Sequence, residues 1–211
     1  MKIAIVDSGI HPGHPHVGEI AGAVDFTLAS EGGHAVDRLG HGTAVAGAIR
    51  EKVPHAELFA VKVFDRRLAA NIQVILHALE WCRAHGMDLV NLSLGTENPT
   101  HRESFVRVLG DDLLVIGPAH VLPGSLPGVI GVLPDPACPR DVFRYHGGVF
   151  HASPYPRPIP GVPVSHNLRG TSFAVANMTG LVARALQNGS ASAIREMLIA
   201  QADSACPGTP A

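Results

Sequence analysis

The chain is most tightly constrained by a recurring alternation. Short aliphatic runs are separated by stretches with helical periodicity. Residues 3–6, Ile-Ala-Ile-Val, form an uninterrupted apolar run closed by Asp7-Ser8-Gly9. A strand buried on both faces needs such a run, and Asp-Ser-Gly marks a turn at its carboxyl end. Residues 58–63, 89–94, 113–116 and 129–133 repeat the pattern. Between them, residues 41–51 place Ala44, Val45, Ala48 and Ile49 on one helical face. Residues 71–85 carry Ile72, Ile75, Leu76, Leu79 and Trp81 at near-helical spacing, with Asn71 positioned as a cap. Residues 101–109, 172–186 and 190–202 read as further helices. Residues 8–40, rich in Gly, Pro and His, read as loop with one short strand near 23–26, and residues 134–168 as loops and an irregular sheet edge. Strands alternating with helices predict an α/β fold, with helices on both faces of a mostly parallel central sheet. No linker divides the chain, so one domain over 1–205 and a tail over 206–211 are expected.

Composition narrows the function classes. Hydrophobic residues make up 46% and charged residues 16%, which fits a folded globular chain. Aromatics are only 5%, so aliphatic residues and Ala must fill the core. A formal net charge of −2 gives no electrostatic case for nucleic acid or an anionic membrane. No run reaches the ~18 apolar residues of a membrane span. Cys82, Cys138 and Cys206 are odd in number and lack metal-ligand spacing. With no secretory pattern at the start, a reduced, cytoplasmic setting is expected. His11, His14 and His16 alternate, but no Cys or carboxylate pair supports them as ligands. No metal or other cofactor is expected.

Three segments carry the chemistry: Val6-Asp7-Ser8-Gly9, Gly40-His41-Gly42-Thr43 and Gly170-Thr171-Ser172. Taken singly, each has a plain explanation: a turn aspartate, a loop histidine, a helix-capping serine. Taken together, they give the order Asp…His…Ser, one of the chain orders in which this triad occurs. In this light the chain resembles the subtilisin-like serine peptidases, the subtilases. The likeness runs from residues 3–10 through His14-Pro15, Gly40-His41-Gly42-Thr43-Ala44-Val45-Ala46-Gly47 and Ala60-Val61-Lys62-Val63. It continues at Val90-Asn91-Leu92-Ser93-Leu94-Gly95 and ends at Gly170-Thr171-Ser172-Phe173-Ala174. The resemblance implies a three-layer subtilisin-like fold and a peptide or protein substrate. It also implies a catalytic triad of Asp7, His41 and Ser172. Ser93-Leu94-Gly95 would be the strand edge that pairs with an extended substrate. Leu94, Gly95, Ile116 and Gly117 would line the pocket for the residue before the cut.

The chain also departs from the family pattern. Gly117-Pro118 stands where the family usually has Gly-Asn, whose side chain helps to stabilise the oxyanion. Proline offers neither a side-chain donor nor an N–H. The backbone N–H of Ser172 remains as a donor, with His120 and Asn167 as candidates for the missing one. Ala176-Asn177 replaces the usual Pro-His, and residues 48–54 leave hardly any room for a calcium loop. Asp37 stands either as a loop cap or as a shaper of the cleft near His41. Two rival readings follow from these departures and from the triad itself. One is a weak or inactive peptide-binding relative, or a subunit of a protease assembly. The other is an esterase with the same triad.

Overall fold

The computed structural model describes residues 1–27, 35–187 and 193–205. The expected tail at 206–211, with Cys206, and the expected first turn of the last helix at 190–192 lie outside the described residues. Eight strands form one sheet: β1 (Lys2–Asp7), β2 (Gly22–Asp25), β3 (Glu57–Lys62), β4 (Leu89–Leu92), β5 (Val115–Pro118), β6 (Ile130–Pro134), β7 (Phe143–His146) and β8 (Val149–Ala152). Their order is β2-β3-β1-β4-β5-β6-β8-β7, and all pair in parallel except β7 on β8. Five α-helices complete the fold: α1 (His41–Arg50), α2 (Ile72–Ala84), α3 (Arg102–Leu109), α4 (Thr171–Leu186) and α5 (Ile194–Ala205).

The two-residue period of a strand divides the core into two layers. Ile3 and Ile5 face a cluster shared with α1, α4 and α5. Ala4 and Val6 face the opposite cluster, built with α2 and α3. This is the helix–sheet–helix arrangement expected for the fold class. α4 is buried from Phe173 to Ala183, as its run of small and apolar residues requires.

Two details differ from the sequence expectation. β5 continues through Pro118, which pairs with Val132 at the end of its strand, where a missing N–H costs one bond at most. The irregular region around residue 145 holds an ordered hairpin. Gly147 and Gly148, both with positive φ, turn β7 back into β8 in two residues. Among the described residues, no helix is long and apolar enough to cross a membrane.

The topology fixes where chemistry can gather. After β3 the chain crosses over β1 to reach β4, so strand order reverses between β1 and β4. In open parallel sheets, the crevice at the carboxyl ends of strands at such a reversal is the natural ligand site. β1 ends there at Asp7, and β4 runs on into Ser93.

Candidate active site

Asp7 is fully buried at the carboxyl end of β1. Its Oδ1 lies 2.7 Å from His41 Nδ1 and also accepts from the Ser8 N–H at 2.7 Å. A carboxylate only accepts, so Nδ1 carries the proton, and neutral His41 presents Nε2 as a lone-pair acceptor. Burial pulls the His41 pKa down. The hydrogen bond and charge of Asp7, with the charge of Asp37, outweigh burial and leave the pKa raised. The other oxygen of Asp7, Oδ2, is buried without a partner.

His41 is the first residue of α1, and the placement of that helix explains why a glycine follows it. A Cβ on Gly42 would fall 2.2 Å from the Gly9 carbonyl oxygen and 3.2 Å from Asp7 Cβ. Only glycine lets the helix approach the β1 turn closely enough for the imidazole to reach the carboxylate. Asp37 fastens the same turn. Its Oδ1 accepts from Ser8 Oγ (2.8 Å) and from the Leu39 and Gly40 N–H groups (both 2.9 Å). Its Oδ2 accepts from the Thr43 N–H (2.9 Å) and Thr43 Oγ1 (2.7 Å). Ser8 Oγ in turn accepts the Gly42 N–H at 3.0 Å. Of the two roles open to Asp37, the structure shows the cap. This cap ties the Asp7 turn to the first turn of α1.

Ser172 is the second residue of α4, so its N–H belongs to the helix's unpaired first turn. Its hydroxyl donates to the Ser93 carbonyl at 3.3 Å, while Ser93 Oγ donates to the Ser172 carbonyl at 3.2 Å. Asn91, buried in β4, donates to Ser93 Oγ (2.9 Å) and accepts from Thr179 Oγ1 (3.0 Å). The start of α4 is thereby locked to the end of β4. Phe173, the next residue along, brings its ring to 5.6 Å from the His41 ring. Asp7 and His41 are thus in direct contact at the carboxyl edge of the sheet, while Ser172 is held at the end of β4, next in the chain to the Phe173 ring that packs near His41.

The other expected site residues fare differently. Leu94 and Gly95 reach the surface. Ile116 does not: strand alternation turns its side chain into the α1/α4 cluster, where it is fully buried. Gly117 is buried too, with Gly124 Cα 3.5 Å from where its Cβ would be. Ser93 is largely buried and serves chiefly to anchor Ser172. His120 lines an open groove with Thr96, Arg102 and Ser125. The Asn167 amide donates to the Arg157 carbonyl (3.3 Å), and its oxygen caps the Leu168 N–H. Asn167 lines a separate cavity with Cys138 and Arg140. Among the described residues, no hydrogen bond joins His120 or Asn167 to Ser172. The His14 and His16 rings pack edge to face at 5.3 Å, and His11 Nδ1 lies 3.1 Å from the Pro12 carbonyl oxygen. Among the described residues, no three His, Cys, Asp or Glu side chains form a metal-holding group.

Sequence reasoning missed Ser8, Asn91 and Phe173 as supports. The Asp-Ser pair after an apolar run was the one visible signal for Ser8. Asn91 is an amide inside a four-residue buried strand, which is itself a sign that a partner waits there.

Comparison with known proteins places the chain in a family. The model of the Subtilase family of peptidases matches residues 1–117, which hold Asp7 and His41. A thermostable alkaline protease of Halalkalibacterium halodurans is 29% identical over 209 residues, covering 86% of this chain and 55% of that protein. The minor extracellular protease Epr of Bacillus subtilis is 38% identical over 107 residues, covering 46% of this chain and 16% of Epr. Subtilisin E of the same species is 36% identical over 104 residues, covering 45% of this chain and 27% of that protein. The chain therefore spans at most about half the length of these relatives. Among solved structures, a lanthipeptide protease superposes with a TM-score of 0.72 at 18% identity, covering 94% of this chain and 78% of the other. A psychrophilic protease, S41, gives 0.72 at 20% identity, covering 96% and 83%. With the family model matching more than half of its residues, the chain belongs to the subtilase family of serine peptidases.

Proposed function

We propose that the chain is a serine endopeptidase that hydrolyses peptide bonds through an acyl-enzyme, with Asp7, His41 and Ser172 as its triad. The 2.7 Å bond from His41 Nδ1–H to a fully buried Asp7 carboxylate carries this reading. It fixes the tautomer that leaves Nε2 free to take a proton, and Ser172 stands in the first turn of α4. A serine hydroxyl is a poor nucleophile at neutral pH and needs such a base.

Rotation about χ1 turns the Ser172 hydroxyl from the Ser93 carbonyl toward His41. Oγ then attacks the scissile carbonyl carbon, and Nε2 takes the hydroxyl proton. Asp7 stabilises the resulting imidazolium. The negative oxygen of the tetrahedral intermediate faces the N–H of Ser172, where the helix dipole favours negative charge. The C–N bond breaks as His41 returns the proton to the leaving amine. Water, deprotonated by His41, then attacks the acyl carbon, and the ester bond to Ser172 breaks as His41 returns the proton to Oγ, which regenerates the serine.

Pro118 supplies no oxyanion donor, and removal of one such donor typically slows acyl transfer by about 10²–10³-fold. The proposed enzyme is therefore slow rather than inert, which suits a narrow processing task. A fluorophosphonate probe tests the reading. Labelling at Ser172, abolished in Ser172→Ala and slowed in Asp7→Asn, is expected. Folded protein that takes up no probe over hours at pH 8 would overturn it.

A further inference from the structure

We infer that Val121 is a specificity-determining residue that closes the recess beside Ser172 and restricts the residue before the cut to a small side chain. The inference rests on the peptidase reading above and names the class of substrate for the same site.

The Ser172 hydroxyl touches the Ser93 carbonyl, so an acyl carbon bonded to Oγ lies at the end of β4. A peptide that extends from there along residues 93–96 can send its last side chain outward into water or inward between the ends of β4 and β5. The inward gap is flanked by Gly95 and Gly117, which contribute no side chains of their own. A pair of glycines at neighbouring strand ends leaves room for something else. In this chain, that room is taken by its own turn.

After β5 the backbone folds back on β4. The Thr96 N–H donates to the Leu122 carbonyl (2.9 Å), and the Leu122 N–H donates to the Thr96 carbonyl (3.0 Å). This bridge holds Val121 directly over Gly95: a Cβ there would lie 2.3 Å from Val121 Cγ2 and 2.7 Å from the Leu122 carbonyl oxygen. On the other side of the gap, Gly124 packs so tightly that its own Cβ would lie 2.1 Å from the Pro118 carbonyl oxygen. Gly117 is buried, Gly95 is exposed, and Val121 is half-buried at the boundary between them. The recess therefore has a rigid backbone wall at Gly117 and a valine floor at Gly95.

Val121 also lines the open groove of about 320 Å³ that holds Thr96, Glu97, Arg102 and His120. The isopropyl group thus stands between Gly95 on one side and this groove on the other. Glycine, alanine or serine before the cut fits without disturbing the bridge. Leucine or phenylalanine has to displace Val121, and with it Leu122. Removing the Val121 side chain joins recess and groove.

The test uses the full chain and fluorogenic peptides that differ only in the residue before the cut, Ala against Phe. Wild type is expected to favour Ala in kcat/KM by at least tenfold. Val121→Gly is expected to raise the Phe-to-Ala ratio by at least tenfold, with Val121→Ala intermediate and less liable to disturb the fold. Equal cleavage of both peptides by wild type would overturn the assignment, even if neither variant folds. An unchanged ratio in a folded variant would do the same. Active-site titration with a small fluorophosphonate separates the two levels of argument. Labelled enzyme without the size preference removes the role of Val121 and leaves the peptidase. Failure to label removes both.

Discussion

Substituting Gly42 by alanine tests the catalytic geometry at its tightest point. The added Cβ would meet the Gly9 carbonyl oxygen at 2.2 Å and Asp7 Oδ1 at 3.3 Å. An ordinary carbon–oxygen contact is more than an ångström longer than the first of these. The obstructing atom is backbone, so no rotamer change relieves the overlap. The first turn of α1 must retreat by about 1 Å, and His41 is the residue directly before the substituted one. A hydrogen bond of 2.7 Å lengthened by that much passes beyond effective range. Misplacement of this size costs about 10²-fold in rate, and complete loss of the aspartate's orienting role costs about 10⁴-fold. The expected fall in kcat lies between these limits, with about 1–3 kcal/mol lost from stability through overpacking. The assay pairs kcat on a fluorogenic peptide with thermal unfolding of the same sample. Gly128→Ala serves as control, since a Cβ there meets nothing within 4 Å. A folded Gly42→Ala enzyme with kcat within threefold of wild type would refute the claim that this contact sets the Asp7–His41 distance.

Further predictions follow from charge. The base form of His41 is neutral and its pKa is raised, chiefly through Asp7. The acid limb of kcat/KM is therefore expected above the ordinary histidine value of 6.5 and should move down in Asp7→Asn. The matching stability term has the opposite sense: it is full below 6.5 and fades as pH rises through the folded-state pKa, so the Asp7→Asn deficit in Tm should shrink across the range where activity appears. Lys52, only 4% exposed in its side chain, is pulled down to about 8 by burial and then by Arg140. Keeping it charged at neutral pH costs on the order of 3 kcal/mol. Its unfolded form binds more protons between about 8 and 10.5, so Tm should gain from this group across that interval. Lys52→Met should flatten the gain; the same rise in the variant would show that another group causes it. Pro118→Asn places an amide at the carboxyl end of β5 and should raise kcat by at least tenfold, read on the same peptide; an unchanged kcat would remove the oxyanion explanation for slow turnover.

What could be read from the sequence separates by the range of the interactions involved. Asp7, His41 and Ser172 were legible in combination, through their order and the likeness to the subtilases, since each segment taken singly reads as a turn, a loop or a helix cap. The place of Ser172 at a helix start was legible because a glycine and a run of small residues announce a buried helix at that point. Asp37 was legible as a cap, but the partners of the supports were not, because they join segments that no local pattern connects. Ser8, Asp37 and Thr43 share one carboxylate across the β1 turn and α1. Lys52 and Asn177, 125 residues apart, meet at 2.6 Å and tie the end of α1 to the middle of α4. That tie matters for the chemistry, because α1 begins with His41 and α4 presents Ser172 in its first turn. The Asn177 amide also donates to the Ser153 and Tyr155 carbonyls, both at 2.9 Å, so α4 is held against the segment after β8 as well. A charged group kept in the core against its own desolvation is weak evidence for stability and better explained by register. Here the register it fixes is that of the two helices whose first turns carry His41 and Ser172. The three proposed triad residues lie at element boundaries that local sequence marks, and the packing of the helices that carry His41 and Ser172 rests on contacts that appear only once the chain has folded.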